Sequence, residues 1–259
     1  MKALVTGASS GIGRDMAKEL AKRGYNLILV ARDNNKLEEV SKEIKDNYKV
    51  ETQIIQKDLS IKQNCIDLYN EVKDKKIDVL INNAGFGVHG NFVDTELEKE
   101  INMLETNIIA VHVLMKLFLK DMVKRNSGQI LNVSSMAAFS PGPLMAGYYS
   151  SKAYVYRLSE CVKTELKMIK SKVKISVLCP GPVRTNFNKV ANVNFAAPSL
   201  SSDIVAKYAI KKMLKGKFTI VPGNLMKITR FFERILPHNW ISYISYLVNY
   251  RKSSDKNRK

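Results

Sequence analysis

Residues 3–13 of this chain read Ala3-Leu4-Val5-Thr6-Gly7-Ala8-Ser9-Ser10-Gly11-Ile12-Gly13. A short apolar run passes into a glycine-rich turn, and an amphipathic pattern follows over 11–22, which predicts strand, tight turn and helix in succession. Glycines let the turn close and let a pyrophosphate approach the backbone, and the free N–H groups of a helix N-terminus favour its negative charge. The spacing G-x-x-x-G-x-G departs from the G-x-G-x-x-G fingerprint and lacks the Gly-Lys-Ser/Thr ending of a phosphate-binding NTPase loop. Lying between a first strand and a first helix, the turn reads as a phosphate cradle rather than as an ordinary strand-to-helix connection.

The same alternation continues outward from this turn. Strands are predicted at 26–30, 51–55, 78–81, 129–133 and 173–178, and helices at 35–46, 61–72, 96–122 and 148–169. Strands that are continuous runs of Val, Ile and Leu, alternating with helices, imply a parallel sheet covered on both faces, an α/β fold whose ligands bind beyond the carboxyl ends of the strands. At 259 residues and 45% hydrophobic content, the chain can build one such domain over about 1–250, with no internal repeat or low-complexity linker. From Arg251 the apolar residues stop, and 251–259 reads as a disordered basic tail.

Charge and cysteine content narrow the function classes. The net charge is +18, but the lysines are spread through nearly every predicted helix and no nucleic-acid module is recognised, so no nucleic-acid partner is expected. Cys65, Cys161 and Cys179 lack metal or redox spacing and read as reduced core residues of a cytosolic protein. His89, His112 and His238 lack metal-ligand spacing, so no metal is implied; His89 follows the glycine-rich 84–90 loop and could edge a substrate cleft. Met1 is followed almost at once by the first strand, which leaves no room for a signal peptide, and the longest apolar stretch, 108–119, is interrupted by His112 and Lys116.

Tyr148 and Lys152 form a Tyr-x-x-x-Lys pair, with Ser135 thirteen positions upstream of the tyrosine and Asn107 a further twenty-eight before that. Holding a phenol of pKa about 10 as phenolate at neutral pH costs roughly 4 kcal/mol, unless nearby positive charge offsets it. On a helix, positions i and i+4 share a face, so Lys152 can supply that charge and make Tyr148 a general acid or base. Ser134 and Tyr149 are the neighbouring rivals of Ser135 and Tyr148.

Together, the 6–13 turn, the Asn82-Asn83-Ala84-Gly85 run, Asn107, Ser135, the Tyr148 and Lys152 pair and Pro180-Gly181 resemble the compact, single-domain branch of the short-chain dehydrogenases/reductases, over about residues 1–223. The resemblance implies a Rossmann-type, doubly wound, mostly parallel seven-stranded sheet, a nicotinamide dinucleotide cofactor, and interconversion of a carbonyl and an alcohol. Tyr148 would exchange the proton, Ser135 would hold the carbonyl oxygen, Lys152 would bind the nicotinamide ribose and lower the phenol pKa, and Asn107 would hold a water. The cofactor would lie against Gly7, Ser9, Ser10, Gly11, Ile12 and Gly13, with Asp58 and Leu59 at the adenine. Asn83, Ala84 and Gly85 would line its middle, and Pro180, Gly181, Val183 and Thr185 its carboxamide. The structural alternatives are a helix N-cap for Asp58, a plain turn for 82–85 and a strand end for Pro180-Gly181-Pro182. At the end of the second strand, Ala31-Arg32 stands where an acidic residue would mark NAD, and Arg14 is a second cation for a 2′-phosphate, so NADP(H) is expected. Asp33 is then the N-cap of the next helix. The family also implies a homodimer or homotetramer. A dinucleotide-binding regulator without activity is the alternative to an enzyme.

Two segments bear on the substrate. The loop 186–199 offers Phe187, Val190, Val193 and Phe195 as a lid suited to an apolar substrate. In 224–250, Leu225, Ile228, Phe231, Phe232, Ile235 and Leu236 have helical spacing, with Lys227, Arg230 and Arg234 on the other side, and Pro237 separates a second aromatic stretch. This appendage could cover the active site or a subunit contact, lie on an anionic membrane, or complete the core.

Overall fold

The computed structural model describes residues 1–185, 187, 191 and 199–251. Its sheet is built from β1 (Lys2–Thr6), β2 (Asn26–Ala31), β3 (Thr52–Gln56), β4 (Val79–Asn82), β5 (Gln129–Val133), β6 (Lys174–Leu178) and, far along the chain, β9 (Thr219–Ile220). All seven run parallel, in the order β3-β2-β1-β4-β5-β6-β9. A separate two-stranded ladder pairs β7 (Val183–Arg184) with β8 (Leu200–Ser201).

The strand centres are mostly apolar on both sides because both faces are covered. On one face Ala3, Val5, Leu27, Leu29, Ile81 and Leu131 pack under α1 (Gly11–Ala21), α2 (Asn34–Tyr48) and α7 (Ser202–Leu214). On the other, Leu4, Ile28, Val30, Leu80, Ile130 and Ile175 meet α3 (Lys62–Val72), α5 (Ala110–Lys124) and α6 (Ala146–Met168). Successive strand residues therefore feed opposite cores, as the period of two demands.

Residues 97–124 form one helix of 28 residues, long and apolar enough to cross a membrane by length and composition alone. The helix expected at 96–122 is present, with His112 and Lys116 interrupting the apolar run at 108–119. In the fold its apolar stripe, from Ala110 and Val111 through Leu114, Met115, Phe118 and Met122, is buried against the sheet. The helix divides into α4 (Leu97–Leu104) and α5 around a π turn at Glu105–Ile109, which holds Asn107. Beyond β9 come α8 (Asn224–Phe232) and α9 (His238–Arg251). Of the lid expected at 186–199, Val190, Val193 and Phe195 lie outside the described residues, as does the expected tail from residue 252 onward.

Candidate active site

In the sheet order, strand succession reverses between β1 and β4, and the loops that leave these strands at their carboxyl ends diverge to opposite faces. A cavity of about 520 Å³ opens there, lined by Gly7 and Ser9–Ile12 of the first turn, by 83–86 after β4, by Ser135 after β5, and by Tyr148, Lys152 and 180–183. Thr6 fixes its floor: its hydroxyl accepts from Asn83 N at 2.9 Å and Ala84 N at 3.1 Å and donates to Ile81 O at 3.3 Å. Asn83 Nδ2 returns a bond to Thr6 O at 3.0 Å, so the ends of β1 and β4 are tied together.

The first turn fits a dinucleotide's phosphates. Gly7 and Gly11 have φ of +64° and +54°, and a Cβ on Gly7 would stand 2.7 Å from Asn83 Nδ2. Gly13 does not line the cavity; a Cβ there would collide with Gly7 O, so its glycine lets α1 pack onto the turn. The Ser10 side chain makes no cap bond, and the first turn of α1 holds no acidic residue, which leaves N–H groups for an anion.

At the adenosine end the cavity is lined by Arg32, Asp33, Lys36, Lys57, Asp58 and Leu59. Asp33 caps α2, accepting from Lys36 N at 3.1 Å, and pairs with the Lys36 ammonium at 2.6 Å. Asp58 is not the N-cap of α3, a position held by Ile61; it accepts instead from Ser60 N and Ser60 Oγ. Arg14 departs from expectation: its Nε pairs with Asp15 at 2.9 Å and it is not among the lining residues. Lys36 and Lys57 are the cations that the sequence reading missed. The visible signal was the Asp33 cap, because a lysine three residues on lies on the same helix edge.

At the opposite end, Ser135, Tyr148 and Lys152 line one wall. Burial pushes the Tyr148 phenol up to about 12, opposed by a hydrogen bond with Ser135 and aided by the neighbouring Tyr149. Burial likewise pushes Lys152 down to about 8, opposed by Cys179. The Lys152 ammonium donates to Val133 O at 3.1 Å and lies 5.8 Å from the Tyr148 ring centre. The expected lowering of the phenol by Lys152 is not found; burial dominates, and Ser135 is the group that acts against it.

The rivals are otherwise engaged. Ser134 Oγ donates to Lys152 O at 2.8 Å, and Tyr149 OH donates to Asn249 Oδ1 at 3.3 Å. Asn107 is wholly buried and does not line the cavity. Its Oδ1 accepts from Phe86 N at 3.1 Å, and its Nδ2 donates to Phe86 O at 2.9 Å and Ser151 Oγ at 3.0 Å. The side chain thus pins the loop after β4 to α6. Gly85 makes this approach possible, since a Cβ would lie 2.7 Å from Asn107 Oδ1. A polar ladder unseen in the sequence, Asn82 to Asn132 to Ser159 at 2.8 Å each, further sets the position of α6 on the sheet.

The family model described as short chain dehydrogenase matches residues 1–195. The chain belongs to the short-chain dehydrogenase family. It is an oxidoreductase of that family, and its cleft fits the family's dinucleotide. Among similar proteins is the very-long-chain 3-oxoacyl-CoA reductase of Rattus norvegicus, 33% identical over 263 residues, which cover 97% of this chain and 80% of that one. An inactive hydroxysteroid dehydrogenase-like protein 1 of Pongo abelii is 38% identical over 166 residues, 63% of this chain and 50% of that protein. A short-chain dehydrogenase from Sphingobium yanoikuyae, solved with NADPH, superposes with a TM-score of 0.82 at 27% identity, covering 91% of this chain and 96% of that one.

Other expectations divide. Cys65 and Cys179 are buried, whereas Cys161 is exposed on α6 and not a core residue. Pro180, Gly181, Val183 and Thr185 line the cavity. His89, expected to edge the cleft, is not among the residues lining the cavity; its Nε2 meets the Asn249 main-chain oxygen at 3.0 Å.

Proposed function

We propose that this short-chain dehydrogenase uses NADP(H) to interconvert a carbonyl and a secondary alcohol on a lipophilic substrate, with Tyr148 as general acid and base. One observation carries the reading: Ser135, Tyr148 and Lys152 share a wall at the end of the cavity opposite Arg32, Lys36 and Lys57. That separation suits a cofactor with phosphate-bearing adenosine at one end and a reactive ring at the other.

When bound, the nicotinamide supplies hydride to the carbonyl carbon or takes it back. The Ser135 hydroxyl orients the substrate oxygen, and the Tyr148 phenol, which carries its proton at neutral pH and holds it more firmly because it is buried, delivers that proton to the oxygen. Lys152 would hold the nicotinamide ribose, Arg32 and Lys36 the 2′-phosphate, and the free N–H groups of α1 the pyrophosphate. Phe187, whose ring centre is 5.4 Å from that of Tyr148, and Met145 give the substrate side an apolar wall.

Similarity to a 3-oxoacyl-CoA reductase supports a 3-oxoacyl thioester as the first substrate class to test. Retention of Asn107, Ser135, Tyr148 and Lys152 supports an enzyme over an idle binding protein. NADPH oxidation measured against 3-oxoacyl thioesters, steroids and diketones tests the reading. Turnover of one class that Tyr148→Phe abolishes, with NADPH affinity kept, is the expected result; silence across the panel would refute it.

A further inference from the structure

Helices α8 and α9 turn most of their large apolar side chains outward. On α8, Leu225, Ile228, Phe231 and Phe232 are exposed, Phe231 by 60%, while the charged Arg230 and Glu233 turn inward. Arg230 lies over the Phe139 ring at 4.4 Å and donates to Tyr156 OH at 3.1 Å. Burial raises the Glu233 carboxyl to about 7, with Ser140 and Arg230 acting against the rise.

On α9 the inward stripe is Ser242, Ser245 and Asn249, beside Ile241, whereas Trp240, Tyr243, Ile244 and Leu247 face out, the first two exposed by 66% and 65%. Asn249 is wholly buried and fastens the helix beside the cavity, donating to Pro143 O at 2.9 Å and accepting from Tyr149 OH. A water-facing helix shows its polar side outward. These two also present large apolar side chains to solvent, and a contiguous exposed apolar surface marks an interaction site.

We propose that the outer face of α8 and α9 docks on an anionic lipid bilayer. Its aromatic residues are of the kind that settle at the boundary between headgroups and acyl chains. The sequence from 224 to 259 carries eight Lys or Arg against two carboxylates, and Lys227, Arg234 and Arg251 are exposed. Such a basic surface is complementary to anionic headgroups. A second copy of the chain would instead bring like charges together. Residues 252–259 contain no apolar side chain with which to cover the face. Docking sets the bilayer beside the cavity wall that holds Tyr149 and Met145, where a lipophilic substrate would enter.

The test is cosedimentation of the full chain with phosphatidylcholine vesicles containing phosphatidylserine, and with phosphatidylcholine alone. Neither cofactor nor substrate is present, so the outcome is independent of the proposed reaction. The expected result is sedimentation with the serine-containing vesicles only, released by high salt. Replacing Trp240, Tyr243 and Ile244 together by serine should abolish it without changing thermal stability. The pair Lys227→Glu and Arg234→Glu, which leaves the apolar face intact, should weaken it at least tenfold. A chain that stays in the supernatant with both vesicles, binds both equally, or uses the face to form a dimer that the serine variant dissociates overturns the proposal.

Discussion

Replacing Lys152 with methionine should make the cofactor-free protein more stable at neutral pH. The lysine is 5% exposed, and burial lowers its pKa from 10.5 to about 8. At about 1.4 kcal/mol per pKa unit, that drop corresponds to about 3 kcal/mol spent on keeping the ammonium charged inside the fold. Methionine has similar length and no charge to desolvate. It forfeits the bond to Val133 O, a loss of about 1 kcal/mol, so the net gain is about 2 kcal/mol. For a chain of this size that is a rise in melting temperature of about 4–8 °C.

The sign has a pH signature. The folded pKa lies below the unfolded one, so between about pH 8 and 10.5 the unfolded chain holds the additional proton, and wild-type stability climbs with pH through that window. The variant lacks the group, so its advantage should shrink across the same window, cross zero within it and end as a deficit of about 1 kcal/mol, the lost bond to Val133 O. Melting temperatures of both proteins, measured without cofactor from neutral to alkaline pH, check this. A variant less stable than wild type at neutral pH, or an advantage that does not change with pH, would refute the reasoning. The same substitution should weaken NADPH binding and turnover, the pattern expected of a residue kept for function at the expense of stability.

Three further predictions follow from the site. Arg32→Glu removes a cation at the adenosine end and should weaken NADPH binding at least tenfold while leaving NADH within about threefold, read by fluorescence titration; the conversion corresponds to about 1.4 kcal/mol or more. Because the phenol is raised to about 12, carbonyl reduction should be flat through neutral pH, where Tyr148 carries its proton, while alcohol oxidation, which needs the phenolate, should increase with pH; initial rates in both directions decide this. Asn249→Ala deletes the side-chain bonds to Tyr149 and Pro143 and should speed amide exchange across 238–251 while exchange in β1, β4 and β5 stays unchanged.

Much of this arrangement is legible in the chain because it is written locally. The 3–13 stretch announces strand, turn and helix, and the first six strands of the sheet fall within one or two residues of their expected places because each has a cluster of Val, Ile or Leu at its centre. The seventh, Thr219–Ile220, is two residues long and carries no periodicity to find. The π turn around Asn107 is set by what the side chain reaches, Phe86 and Ser151, neither of which is near it in sequence.

Arg14 shows the limit of counting cations by position: it does not line the cavity, whose adenosine end is lined instead by Arg32, Lys36 and Lys57. The 224–236 segment shows a second limit. Its apolar stripe is plain, but periodicity defines a face without saying which way the face points, and here Arg230 and Glu233 turn inward.

The central claim is that Tyr148 moves the proton in a carbonyl reduction driven by NADPH. Its most direct test is the single-turnover rate of NADPH oxidation with a 3-oxoacyl thioester, measured for the wild-type chain and for Tyr148→Phe at matched cofactor saturation. The account predicts a loss of at least a thousandfold, about 4 kcal/mol of transition-state stabilisation, with the dissociation constant of NADPH within about twofold. A phenylalanine variant that turns over at a rate comparable to wild type would contradict it.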